Sequence, residues 1–172
     1  MKPWRWLHGV APRRCDLLAT YAAAAVAAWA TYDVAGSTVL ALIAADLGGG
    51  VVAFATPSTA RWYAARRRPF HLAFVGLHVA HVVVAAAVGG ASPVWAVAVF
   101  AYAAASVVLV RLLPPGAALP AAFALVVVAA VVHPVLPGLA AFVPLLMLKL
   151  VVGFAVHARR DAEVARAPTL GC

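Results

Sequence analysis

Six apolar runs, each near the length of a membrane crossing and each cut off by proline, glycine or charge, leave this chain few folds to choose from. A helix crossing about 30 Å of hydrocarbon at 1.5 Å per residue needs roughly 20 mostly apolar residues. The runs fall at 17–32, 37–56, 70–89, 94–113, 117–133 and 138–157. Between them stand Asp33 to Gly36, Thr56-Pro57, Gly89 to Pro93, Pro114-Pro115-Gly116 and Pro134 to Gly138, all chemistry that a continuing helix resists. The fifth run is short, and Pro134 and Pro137 also permit a re-entrant hairpin from the last two runs. Charged residues make up only 10% of the chain, against about a quarter in a soluble domain. A soluble enzyme, a disordered chain and a disulfide scaffold are excluded on that ground. The expected fold is all-α: a polytopic membrane bundle of six helices in one transmembrane domain, 1–157, with a short cytoplasmic tail, 158–172.

Charge gives this bundle an orientation. Lys2, Arg5, Arg13 and Arg14 precede the first run; Arg61, Arg66, Arg67 and Arg68 separate the second from the third. Arg111 closes the fourth, and Arg159, Arg160 and Arg166 follow the sixth. With six spans, twelve of the thirteen basic residues lie on one side and none in the opposite loops. The positive-inside rule then puts both termini in the cytoplasm and the chain in the cytoplasmic membrane. The net charge of +8 reads as a basic rim against anionic lipid headgroups. The arginines sit beside spans rather than on a module of their own, so nucleic acid is not an expected partner.

Trp4, Trp6, Trp62 and Tyr63, next to those arginines, read as interfacial anchors, and Arg111 as a side chain that snorkels to the edge. Arg13-Arg14 before an Ala-rich run invites a signal-peptide or twin-arginine reading. Asp16 stands where that signal wants an apolar residue, so the first span is expected to stay uncleaved. Cys15 and Cys172 both fall on the reducing side, and no disulfide is expected.

Two segments share a pattern. Ala73-Phe74-Val75-Gly76-Leu77 with His81 matches Ala141-Phe142-Val143-Pro144-Leu145 with Lys149 at a constant offset of 68. Tyr21-Ala-Ala-Ala and Tyr102-Ala-Ala-Ala give a fainter match between the first and fourth runs, whereas the second and fifth show none. A 3+3 inverted repeat with a midplane site is the architecture such a match suggests; chance likeness among Ala, Val and Leu is the alternative.

Asp46, His78, His81 and Lys149 are the ionisable residues deep within the runs. All four lie roughly 12 to 17 Å from the cytoplasmic ends of their spans, although they come from three different ones. A mid-bilayer charge costs at least about 2.5 kcal/mol, which makes each a candidate for function. Asp46 precedes Gly48, Gly49 and Gly50, which serve either as a close helix-packing seam or as a break that opens the backbone. Pro144 can kink the sixth span and free a carbonyl. Lys149 needs a partner at that depth, and Asp46 is the obvious one. Tyr102 and Ser106 can hydrogen-bond into the same layer.

His78 and His81, three apart on one face, can relay protons or, with Asp46, ligate a metal. His71 and His157, at the edges of the third and sixth spans, can offer axial ligands to a haem. No phosphate-binding loop, nucleophile elbow, zinc-protease motif or paired-cysteine motif occurs, and no enzymatic role is expected. The leading reading is a membrane protein that moves a proton, ion or small polar solute through Asp46, His78, His81 and Lys149, with no cofactor. A haem- or metal-binding redox protein using His71, His78, His81 and His157 is one alternative. A structural or assembly protein with a paired polar interior is another. The expected partners are lipid and, through small residues of the first two spans, a second copy of the chain.

Overall fold

A computed structural model describes residues 5, 8–132, 136 and 138–157. The described residues form helices joined by short turns, with no strand. We label them α1 (Arg14–Ala35), α2 (Thr38–Ala55), α3 (Pro57–Ala64), α4 (Arg68–Gly89), α5 (Pro93–Leu112), α6 (Pro115–Val132) and α7 (Phe142–Met147). The chain continues from α7 without a break as a π-helix, Leu148–His157. Five of these helices, α1, α2, α4, α5 and α6, are long and apolar enough to cross a membrane. Their outward faces carry Leu18, Val26, Trp29, Leu72, Val97, Leu112 and Val131 in exposed positions. Such a surface suits hydrocarbon rather than water.

The turns form where the sequence punctuates it. Gly36 and Gly90 end α1 and α4 in the left-handed conformation. Ser37, Thr56 and Ser92 each accept a hydrogen bond from the backbone N–H of the third residue on, capping α2, α3 and α5. Proline opens α3, α5 and α6, where a missing N–H leaves no bond unmade.

Two features depart from the expected spans. Residues 138–141 form a turn at the start of the sixth run, so the apolar helix there, Phe142–Val156, is shorter than the other five. Pro144 consequently falls in its first turn, where it neither kinks a span nor frees a mid-helix carbonyl. The second departure is α3, which occupies what the sequence suggested was a loop. Trp62 and Tyr63 on α3 are 3% and 1% exposed and point into the bundle rather than toward lipid. They pack edge-on and tilted against Phe54 of α2, Phe70 and Phe74 of α4 and Phe154 of the π-helix. A short helix laid across several helix ends closes the core with its aromatic edge and leaves Arg61 and Arg67 outside. Ser58 also ties α3 to the N-terminal segment, donating from its hydroxyl to the His8 carbonyl and accepting from the Ala11 N–H.

The π-helix is the centre of the core. Leu150, Val151, Phe154 and Ala155 are fully buried, and the segment touches α2, α3, α5, α6 and α7. The helix α1 is the periphery: Thr20 is its one buried residue. It packs on α2 through small residues, Thr20, Ala23, Ala24 and Ala27 against Gly48 and Gly49. A methyl group on Gly48 would stand 2.7 Å from the Ala27 Cβ. Backbones that approach this closely hold together by dispersion, since lipid removes the hydrophobic drive between helices. Gly48→Leu is therefore expected to cost about 1–3 kcal/mol, the range for over-packing. Gly76→Ala, with nothing within 4 Å of the added carbon, should leave stability unchanged or slightly raised. Unfolding of the purified protein in detergent, followed by tryptophan fluorescence, measures both. Equal effects would contradict the tight seam.

Candidate functional site

Asp46 lies midway along α2, which runs unbroken past the three glycines. Successive residues turn about 100° around a helix, so these glycines face two neighbours. Gly48 and Gly49 meet α1, while Gly50 faces the π-helix and lies beneath the stem of Lys149. A Cβ at Gly50 would come within 2.5 Å of the lysine Cε. Of the two roles open to the glycines, close packing is the one seen, and α2 exposes no carbonyls through a break.

Through that slot Lys149, itself 4% exposed, reaches Asp46. Its Nζ donates to Asp46 Oδ2 at 2.5 Å and to the Asp46 backbone carbonyl at 3.3 Å. The same Oδ2 lies 3.2 Å from His81 Nε2 on α4. One turn earlier on that face, His78 donates from Nδ1 to the Phe74 carbonyl at 2.8 Å. That bond fixes the tautomer and leaves Nε2 as the ring's lone-pair nitrogen. Nε2 of His78 is buried and has no hydrogen-bond partner among the described residues, as is true of His81 Nδ1. The two imidazoles stack with centroids 5.1 Å apart and planes 23° apart.

All four deep ionisable residues thus meet, from three helices. They line one wall of a cavity of about 240 Å³ whose other lining includes Phe54, Phe74 and Tyr63. Tyr63 is a cavity residue that sequence reasoning set at the lipid interface. Burial first, and the Asp46 carboxylate second, hold its hydroxyl above the usual phenol range. The signal available for it was the short Thr56-Pro57 capped helix, which places Thr59, Trp62 and Tyr63 on adjoining positions of one buried face.

Other sequence candidates lie apart from the cluster. His71 donates from Nε2 to the Tyr63 carbonyl at 2.9 Å, and its Nδ1 lies 3.2 Å from an Arg111 nitrogen. Both ring nitrogens are therefore engaged. Arg111 does not snorkel outward: its guanidinium sits 4.6 Å above the Phe154 ring. The side chain of His157 lies outside the described residues, as do Trp4, Trp6 and Cys172. Tyr102 donates to the Leu125 carbonyl of α6 at 2.9 Å instead of entering the midplane layer, and Ser106 is buried on α5.

Compared with known proteins, the chain matches no family model, no curated protein and no solved structure. As it stands the cluster holds one carboxylate and one ammonium, and any further cation has to displace the lysine or share its oxygen. Asp46→Asn strands the Lys149 ammonium in the core, for which the expected cost is about 3–5 kcal/mol. Adding Lys149→Met removes the stranded charge and should recover most of that loss. Melting of the three variants in detergent checks the cycle, and simple additivity of the two losses would contradict the pairing.

Proposed function

We propose that this chain is an integral protein of the cytoplasmic membrane that moves a proton, ion or small polar solute through a midplane site centred on Asp46. One observation carries the reading: a single carboxylate oxygen is shared by Lys149 Nζ and His81 Nε2 from two other helices, at the wall of a cavity. An ion pair that served stability alone would need neither the second basic partner nor the space. In this reading Asp46 carries the exchangeable charge, His78 and His81 pass protons or touch solute, and Lys149 supplies the counter-charge when the site is empty.

The topology belongs to the same proposal. Five long helices and the shorter Phe142–Val156 make six crossings, with both termini in the cytoplasm beside the arginine clusters. The clusters meet anionic headgroups there. A 3+3 inverted repeat would make His81 and Lys149 equivalent, and both touch the same oxygen of Asp46. Equivalent positions that converge on a central carboxylate are what a site between two halves requires.

The test is flux in proteoliposomes, first of protons under an imposed pH gradient. The Asp46→Asn/Lys149→Met double variant keeps a neutral, packed pair, so it should remain folded and lose flux. A folded double variant with wild-type flux would reject the transport reading and favour a structural role for the pair.

A further inference from the structure

We infer that Asp46, His78 and His81 form a three-ligand site for a divalent transition-metal ion, in which the Lys149 ammonium is the resident placeholder. One ligand atom from each of the three residues lies within 4.8 Å of the others. Tetrahedral ligands held at 2.0–2.2 Å from an ion stand about 3.4 Å apart. The site therefore closes with a side-chain adjustment of roughly an ångström, which Asp46 makes on leaving the lysine.

The second observation is the state of His78. Its ring is 2% exposed, its Nε2 has no partner among the described residues, and the residue lines the cavity. A buried acceptor left unmade costs about 1–3 kcal/mol. The opposite nitrogen donates to the Phe74 carbonyl, the outer-shell bond that orients metal-binding histidines and raises their basicity. A core histidine that only filled space would not leave this nitrogen bare beside a carboxylate and a second imidazole.

The donor set selects the ion. Two imidazoles and one carboxylate suit Zn²⁺, Co²⁺ or Ni²⁺; there are too few oxygens for Ca²⁺ or Mg²⁺ and no thiolate for Cu⁺. Three protein ligands leave a fourth position open, as in sites where an ion or substrate must exchange rather than in closed structural ones. The lysine gives the empty site its neutrality. Its ammonium takes the carboxylate oxygen that the metal would take, so ion and lysine compete for Asp46, and the displaced amine releases its proton when the ion binds. The inference deepens the transport reading by naming its ion class, and it rests on that reading for passage of the ion, though not for binding.

Co²⁺ is the probe, added alone to the detergent-purified protein and followed by its visible d–d absorption and by calorimetry. One ion per chain is expected, with the intense bands of four-coordinate cobalt. His78→Gln, which keeps the volume, should weaken binding by more than the roughly 10–100-fold that loss of an outer-shell partner costs. Lys149→Met should tighten it by about tenfold or more, because the competing charge is gone. A gain of that kind cannot arise from failed folding. Wild-type protein that binds no cobalt overturns the inference, as does binding that survives in His78→Gln. Cobalt binding without flux would keep the site and reject transport; proton flux without cobalt binding would do the reverse.

Discussion

An ammonium on the most buried helix of the bundle is the constraint around which the rest is arranged. Lys149 sits near the start of the central π-helix, 4% exposed, at the wall of the cavity it shares with His78 and His81. Little of its charge is exposed there, and an unpaired ion in such a place costs several kcal/mol. Asp46 meets that need, but only because α2 comes close enough, and α2 comes close because Gly50 lacks a side chain where the lysine stem passes. The two glycines before it bring α1 onto the opposite side. Three consecutive glycines therefore set two helix separations at once, one for packing and one for electrostatics.

The π geometry belongs to the same arrangement. Such helices are rare, are usually a single turn long and often occur at functional sites. Here the wider turn begins at Leu148, beside the lysine, and continues through the buried stretch that contacts most of the other helices. Its start coincides with the one charged side chain in that stretch.

Around the ion pair the histidines divide into two groups. His71, His78 and His81 all lie on one face of α4, and spacing alone would make them a single row. Tyr63 and Arg111 take both nitrogens of His71, which makes it part of the aromatic floor with Phe154. His78 and His81, about two and three turns further on, look across at Asp46.

What the sequence determined by itself was the set of things that follow from distance along a helix and from the cost of charge in hydrocarbon. The apolar runs, their glycine, serine and proline stops and the common depth of Asp46, His78, His81 and Lys149 are all one-dimensional facts, because 1.5 Å per residue converts position into depth. Which helix is central could not be read that way. Every run is apolar all round, so hydropathy does not tell the exposed α1 from the buried final helix. The inward turn of Trp62 and Tyr63, the capture of His71 and the shared oxygen of Asp46 depend on which faces meet. That choice was made only by tertiary packing, through small residues that let backbones approach and a buried lysine that had to find its carboxylate.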